Sequence, residues 1–230
     1  MSWQTNKINM TLEQNIKGIC SKFGLDFNEF LKDFEVDHVM EMSLFDLEAI
    51  CEEYKIDLHT LLFKAVFFEA SLKKKLENIK LLILDVDGVM TDGGMLFTAQ
   101  GDELKKFNTK DGMGIELLHK ASIKTIFLTG ENSKIVKIRA KKVKADDCHI
   151  NIKQKEKIFS DICKKFNVKS SNVAYIGDDV NDLKIMNRVG LTACPSDAQE
   201  QIKLISDLKC KKEGGKGAFR EFANVILDSL

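Results

Sequence analysis

The chain has 230 residues and no net charge at pH 7; 44% of its residues are hydrophobic and 30% are charged. This composition is typical of a globular protein and argues against disordered or fibrous structure, and the length allows one large domain plus a smaller one. No apolar run approaches the roughly 20 residues of a membrane helix, and Met1 to Met10 lack the apolar core of a secretory signal, so we expect a cytoplasmic protein.

The cysteines and the distribution of charge add two expectations. Six scattered cysteines without a Cys-x-x-Cys pair are typical of reduced thiols rather than of disulfides or a zinc site. Residues 1 to 79 contain 9 Lys and Arg against 14 Asp and Glu, a net charge of −5, which leaves +5 on the remainder. Positive charge on the second part suits an anionic substrate.

Residues 1 to 78 are predicted to form a small all-helical domain. The helices follow from capping residues and apolar spacing. They are one opened by a capping box of Thr11 and Gln14 and ended at Gly24, one from Asp26 to Phe34, one opened by Ser43 and Asp46, and one capped by Asp57 and running through Phe67.

Residues 43 to 63 resemble the last helices of a phage-repressor-type helix-turn-helix domain. The net charge of −5 argues against DNA binding, because phosphate contacts need Lys and Arg on the docking face. We therefore expect this domain to serve packing or assembly and do not expect nucleic acid as a partner. A regulator that uses these helices while the second domain senses a sugar phosphate stays open as an alternative.

Residues 79 to 230 alternate short apolar strands with amphipathic helices, which predicts an α/β domain with a parallel sheet covered on both faces. A β-hairpin is predicted between the first strand and its helix, formed by Met95 to Phe97, a turn at Gln100 to Asp102, and Leu104 to Phe107. The predicted strands are Leu81 to Val86, Thr125 to Leu128, Asp146 to His149, Val173 to Ile176 and Leu191 to Cys194, and the last helix is Ala218 to Leu227.

Polar side chains follow the predicted strands at the edge where ligands bind in open parallel sheets. Asp85 and Asp87 lie one residue apart after the first strand and point to the same side. Thr129 follows the second strand, Lys155 begins the helix after the third, and Asp178 follows the fourth. Carboxylates, a hydroxyl and an ammonium at one edge are what magnesium-assisted phosphoryl transfer requires.

These segments resemble the four motifs of the haloacid dehalogenase (HAD) superfamily, which has a Rossmann-like fold. They are Asp85-Val86-Asp87-Gly88-Val89, Leu128-Thr129-Gly130, Lys155, and Gly177-Asp178-Asp179 with Asp182. Three further segments resemble the capless sugar-acid phosphatases, which act on 3-deoxy-manno-octulosonate 8-phosphate or on nonulosonate 9-phosphates. They are Asp85 to Gly94, Lys106 to Gly112 and Gly214 to Glu221.

The resemblance implies a role for each residue that matches a motif. Asp85 would attack phosphorus and form an aspartyl-phosphate, and Asp87 would protonate the leaving oxygen and then activate water. The resemblance places Mg²⁺ on Asp85, the backbone carbonyl of Asp87, and Asp178. Thr129 and Lys155 would bind phosphoryl oxygens, with Asp179 and Asp182 orienting metal waters or Lys155.

Substrate contacts are also implied. Octulosonate phosphatases of the family commonly have Arg where this chain has Glu131, and Glu131 resembles the branch that prefers nine-carbon acids. The expected substrate contacts are Glu131, Lys142, Arg139, Lys110 and Arg220, because a sugar carboxylate needs a cation and hydroxyls need acceptors. A phosphatase of another small phosphorylated metabolite remains the alternative.

Capless members of the family assemble as tetramers. By resemblance, the hairpin would form the interface, and Gly214 to Gly217 would lie over a neighbour's substrate and exclude water. A plain turn before the last helix is the alternative for this glycine-rich segment.

Overall fold

The computed structural model describes residues 3–63, 70–99 and 103–230. The chain divides into two compact units, Met1–Lys73 and Lys74–Leu230, so the division falls five residues before the predicted boundary after residue 78. Two parts of the predicted elements lie outside the described residues, the hairpin turn at Gln100 to Asp102 and Phe67 in the fourth helix. No helix among the described residues is both long enough and apolar enough to cross a membrane.

The first unit is helical. Its core contains four side chains with no solvent exposure, Ile16, Ile19, Ile50 and Leu61. Another helix, α5 (Ala70–Glu77), spans the boundary between the units. The helices before it are α1 (Trp3–Phe23), α2 (Phe27–Asp33), α3 (Leu44–Tyr54) and α4 (Leu58–Phe63).

The predicted caps in this unit have different outcomes. Ser43 and Asp46 form the reciprocal capping box at the start of α3, and Asp26 caps α2, as predicted. The capping box predicted at Thr11 is wrong, because α1 begins at Trp3 and Thr11 is a buried residue inside the helix. The preceding residues include neither Gly nor Pro, so nothing in their local preferences stops the helix there.

The second unit contains a six-stranded sheet in which every neighbouring pair described is parallel. The spatial order is β5-β4-β1-β6-β7-β8, which places β1 between β4 and β6. This arrangement confirms the predicted α/β fold. Its strands are β1 (Leu81–Leu84), β4 (Lys124–Leu128), β5 (Asp147–His149), β6 (Val173–Ile176), β7 (Leu191–Cys194) and β8 (Leu208–Lys209).

Strand β8 was not predicted, because two residues are too short to show an alternating pattern. The hairpin was predicted and is present as β2 (Leu96–Phe97) paired antiparallel with β3 (Glu103–Leu104). The helices of this unit are α6 (Thr109–Lys120), α7 (Lys134–Lys142), α8 (Lys155–Phe166), α9 (Leu183–Met186), α10 (Glu200–Ile205) and α11 (Ala218–Leu227).

Candidate active site

Three adjacent strands bring the predicted site residues to one edge of the sheet. Asp85 and Asp87 follow β1, Thr129 follows β4, and Asp178 follows β6 soon after its last residue. Because β4 and β6 flank β1, their carboxyl ends lie side by side. The order of the strands alone therefore supports the sequence prediction that these side chains converge.

A buried charged cluster occupies the centre of this edge. Asp85, Lys155 and Asp182 have at most 3% of their surface exposed. The Lys155 ammonium lies 2.8 Å from Oδ1 of Asp85 and 2.6 Å from Oδ1 of Asp182. An ammonium held between two carboxylates offsets part of their mutual repulsion. Such compensation is needed because these charges have been removed from water.

Asp182 has hydrogen bonds on both of its carboxylate oxygens. The Tyr175 hydroxyl donates to Oδ1 at 2.6 Å, beside the Lys155 contact, and the backbone amide of Asp178 donates to Oδ2 at 3.1 Å. Tyr175 is fully buried on β6 and was not predicted as a site residue. Asp182 thus holds Lys155 and the start of the loop that carries Asp178, as a supporting group does.

The cluster contains more negative than positive charge, and the pKa values reflect this. Burial, followed by the charge of Asp182, raises the pKa of Asp85 to about 7 even with Lys155 beside it. Burial and then the charge of Asp85 raise the pKa of Asp178 to about 8. Burial alone would lower the pKa of Lys155, but Asp85 and Asp182 raise it above the usual value. The site therefore favours an added cation or bound protons.

The acidic residues fit a magnesium ion. Oxygens of Asp85, Asp178 and Asp182 lie within 4.8 Å of one another, and Oδ1 of Asp178 is buried without a hydrogen-bond partner. Since both oxygens of Asp182 already accept hydrogen bonds, Asp85 and Asp178 are the carboxylates best placed to bind a cation. Hard oxygen ligands of this kind suit Mg²⁺.

Gly88 allows Asp178 to approach the loop after β1. Its φ is +89°, and a Cβ at this position would lie 2.0 Å from Oδ2 of Asp178. Any side chain here would therefore displace the candidate metal ligand as well as strain the backbone.

Asp87 is held on both sides by side chains. The Thr129 hydroxyl donates to Oδ2 of Asp87 at 3.2 Å, and the Lys105 ammonium donates to Oδ1. Lys105 was not among the predicted site residues. Lys105 belongs to none of the sequence motifs. It lies 18 positions after Asp87, and the hairpin between them brings the two side chains together.

Two predicted residues lie beside the buried cluster and are exposed to solvent. The Glu131 amide donates to the Thr129 hydroxyl at 3.1 Å, and its side chain is 46% exposed, 3.6 Å from the Lys153 ammonium. Asp179 is exposed, and its carboxylate accepts from the backbone amide of Val180. Asp182 contacts Lys155. Asp179 instead caps the short helical turn Val180–Asp182.

The remaining predicted substrate contacts are spread over three helices. Arg139 donates to the backbone oxygen of Asn108 and lies over the Phe107 ring, 5.4 Å from its centre. The Arg220 side chain donates to Asn224 on its own helix, and Lys110 is exposed in the first turn of α6.

Lys142 is the last residue of α7, which begins near the sheet edge that carries the cluster. A helix rises about 1.5 Å per residue, so Lys142 lies about 12 Å along the axis from the start of α7. Lys142 therefore lies at the end of α7 away from that edge, and Arg139, nearer the middle of the helix, contacts Asn108 and Phe107.

The glycine-rich segment packs against the loop after β1 of the same chain. A Cβ on Gly214 would lie 1.9 Å from the backbone oxygen of Gly88, and the Gly215 amide donates to the oxygen of Val89 at 3.0 Å. The amide of Gly214 also donates to Asp197 at 2.9 Å. These contacts give the segment a supporting role beneath the loop that carries Asp87.

Comparison with known families and proteins shows which family the sequence matches. A haloacid dehalogenase-like hydrolase model matches residues 111–190. The 3-deoxy-D-manno-octulosonate 8-phosphate phosphatase KdsC of Escherichia coli strain B is 37% identical over 158 residues, which cover 69% of this chain and 84% of that protein. The enzyme of the same name from Haemophilus influenzae is also 37% identical, with 88% of its length covered.

Solved structures give the same result. The 3-deoxy-D-manno-octulosonate 8-phosphate phosphatase from Moraxella catarrhalis, in complex with magnesium, phosphate and KDO, aligns with a TM-score of 0.68 at 33% identity, covering 70% of this chain and 93% of that chain. The cobalt-bound phosphatase from Haemophilus influenzae aligns with a TM-score of 0.66 at 38% identity, covering 67% of this chain and 91% of that chain.

Proposed function

We propose that Asp85 and Asp87 carry out the hydrolysis of a phosphate ester. The chain belongs to the 3-deoxy-D-manno-octulosonate 8-phosphate phosphatase family of haloacid dehalogenase-like hydrolases. The chain is a magnesium-dependent phosphomonoesterase that acts on a sugar-acid phosphate. The observation that carries the residue assignment is the buried Asp85, held by Lys155 at 2.8 Å beside an Asp178 oxygen without a hydrogen-bond partner.

The reaction proceeds in two steps. A carboxylate oxygen of Asp85 forms a bond to phosphorus while the bond from phosphorus to the sugar oxygen breaks, and Asp87 gives its proton to that oxygen. Asp87 then takes a proton from water, whose oxygen attacks phosphorus and releases phosphate and Asp85. Lys155 donates to phosphoryl oxygens in both steps, and the Thr129 hydroxyl turns from Asp87 to donate to a phosphoryl oxygen when phosphate is bound.

Magnesium would be held by Asp85 and Asp178, with the backbone carbonyl of Asp87 as a third ligand. When bound, it neutralises charge on the phosphate and on the nucleophile together. Lys155 contacts Asp85 and Asp182 accepts from the backbone amide of Asp178, so this buried ion pair keeps the two carboxylates of the metal site in place.

The substrate is proposed to be a nine-carbon sugar-acid 9-phosphate. Glu131 supports this assignment, because it follows Thr129 by two residues and its half-exposed carboxylate can accept hydrogen bonds from additional sugar hydroxyls. The eight-carbon 3-deoxy-D-manno-octulosonate 8-phosphate is the second candidate, favoured by the names of the relatives. The cation for the sugar carboxylate would come from Arg139, Lys142, Lys110 or Arg220, of this chain or of a neighbouring copy.

A homotetramer is proposed as the working assembly. Four apolar side chains of the hairpin are between 42% and 65% exposed, namely Met95, Leu96, Phe97 and Leu104. Burying such a patch against a second copy removes apolar surface from water. Light scattering should show that Leu96→Glu dissociates the assembly, while Leu204→Glu, at an 81% exposed leucine on α10, should leave it intact. Equal masses for the two variants would contradict this interface.

We also propose a cytoplasmic setting for the protein and a packing or assembly role for its first unit. The cysteine pattern supports a cytoplasmic setting. A packing or assembly role for residues 1 to 78 is supported by Leu44 and Phe45, which are 57% and 81% exposed at the start of α3.

The test is phosphate release with magnesium from octulosonate 8-phosphate and from the keto-deoxy-nonulosonate and N-acylneuraminate 9-phosphates. We expect a nine-carbon acid to be preferred, and Glu131→Arg to shift the preference toward the eight-carbon acid, with Glu131→Gln as the neutral control. Preference of the unaltered protein for octulosonate 8-phosphate would reject the role of Glu131. Asp85→Asn should lose more than about a thousandfold in kcat, and retention of most activity would reject the nucleophile assignment.

A further inference from the structure

Lys105 is a buried cation that belongs to none of the sequence motifs of the haloacid dehalogenase superfamily. It follows β3 directly, and only 1% of its side-chain surface is exposed. A lysine ammonium is strongly hydrated, so its removal from water requires an anionic partner. Its ammonium donates to Oδ1 of Asp87. The hairpin segment therefore places a positive charge beside Asp87, the residue that transfers protons in the proposed reaction.

The contacts of Asp87 explain what this charge can do. Its Oδ1 accepts from Lys105 and its Oδ2 accepts from the Thr129 hydroxyl at 3.2 Å, so two groups on different elements limit rotation of the carboxylate. The Asp87 side chain is still 23% exposed, which leaves it accessible to a substrate. The neighbouring Lys106 is exposed, so the burial of Lys105 does not follow from the strand as a whole.

We propose that Lys105 is a positioning residue for proton transfer by Asp87 and thereby couples the hairpin to the reaction. This inference rests on the proposed function, because it takes Asp87 as the acid and base. In the first step the proton of the Asp87 carboxyl moves to the leaving sugar oxygen and a carboxylate forms. The Lys105 ammonium stabilises that developing charge and keeps its own proton throughout.

The leaving group separates this role from others. A sugar alkoxide needs a proton to leave, whereas p-nitrophenolate leaves without one. Loss of Lys105 should therefore slow the first step for a sugar phosphate far more than for p-nitrophenyl phosphate. A residue that binds the sugar carboxylate would change KM instead, and a residue needed only for folding would affect both substrates equally.

The experiment compares Lys105→Met, Lys105→Arg and the control Lys106→Met as full-length proteins with magnesium. For whichever of the three sugar-acid phosphates has the highest kcat/KM, Lys105→Met should lower kcat about ten- to a hundredfold, part of the full acid–base effect, with KM changed less than about threefold. The first-turnover release of p-nitrophenolate should fall less than about threefold. Lys105→Arg should recover part of kcat, and Lys106→Met should match the unaltered protein.

Three results would overturn the proposal: equal behaviour of Lys105→Met and Lys106→Met, a rise in KM at unchanged kcat, or an equal loss with both leaving groups. Thermal unfolding of each variant is measured alongside, and Lys105→Arg keeps the test valid if Lys105→Met does not fold. Asp87→Asn distinguishes failure of the acid–base role of Asp87 from failure of the positioning role of Lys105. Its full activity would reject the acid–base role itself, whereas its inactivity beside an active Lys105→Met would reject only the role of Lys105.

Discussion

The ammonium of Lys155 lies 2.8 Å from Oδ1 of Asp85, and both side chains are almost fully buried. The same ammonium contacts Asp182 at 2.6 Å, while Asp178 carries a further negative charge nearby. The lysine thus compensates a group of carboxylates that would otherwise repel one another inside the protein. Stability and activity are linked at this residue.

Lys155→Met should lower the free energy of unfolding by about 3 to 5 kcal/mol at pH 8, because buried carboxylates lose their cation. The loss should be smaller at pH 6, below the pKa values of about 7 for Asp85 and about 8 for Asp178, where these groups are largely protonated. Urea unfolding at the two pH values measures this. Lys157→Met, at an exposed position on the same helix, serves as the control. A pH-independent loss would contradict the explanation.

Magnesium binding should release protons. The metal-free protein holds protons on Asp85 and Asp178 near neutral pH, since their pKa values are about 7 and about 8, and a cation displaces them. Apparent affinity should therefore weaken as the pH falls below about 8. Calorimetry in two buffers of different ionisation enthalpy should give different heats, and equal heats would refute the prediction. Excess chelator should abolish turnover.

Gly214→Ala should reduce both stability and activity. Its Cβ would lie 1.9 Å from the oxygen of Gly88 and 2.9 Å from the oxygen of Thr91, both backbone atoms of the loop that follows β1. Relief of such overlap typically costs about 1 to 3 kcal/mol and would shift Asp87. Thermal unfolding and kcat measure the two effects. Gly94→Ala is the control, because its nearest contact is the Asp92 side chain at 3.1 Å. Similar behaviour of both variants would remove the supporting role of Gly214.

Asp111→Asn should stabilise the protein more at pH 7 than at pH 5. Burial raises the pKa of Asp111 to about 6 from the model-compound value of 3.8, although the Arg220 amide donates to it. The stability associated with its protonated form is fully present below about pH 4 and is lost as the pH rises through about 6.

Asparagine lacks this titration and retains an oxygen for the Arg220 amide. The stability gain of the variant should therefore increase by about 1 kcal/mol between pH 5 and pH 7. Chemical unfolding at both pH values measures the gain. A gain that does not depend on pH would show that Asp111 does not titrate in this range.

Much of the fold and of the site follows from local patterns in the sequence. The apolar runs after Lys80, Thr125 and Asn172 mark strands that are buried on both faces, and such strands belong to parallel sheets. Once the sheet is parallel, the polar residues that follow its strands must meet at one edge. Asp85, Asp87, Thr129, Lys155 and Asp178 could therefore be grouped from the sequence together with its family resemblance.

Other features could not be predicted from the sequence, for two reasons. The first is a weak local signal, as at the start of α1 at Trp3 and in the two-residue strand β8. The second is that some contacts form only in the folded chain. The contact of Lys105 with Asp87 and the packing of Gly214 against Gly88 join segments that the sequence separates, and the bond from Tyr175 to Asp182 depends on how the turn after β6 folds back on the strand.

The amino-acid sequence is sufficient to predict which chemical groups stand at the strand ends, because side-chain alternation and burial are local properties of the chain. How those groups are held depends on contacts that form only in the folded protein. Asp182 supports Lys155 while Asp179 faces solvent, and a lysine from the hairpin holds Asp87. Such pairings arise where buried charges must find partners, and the partners come from whichever elements the folded chain brings close.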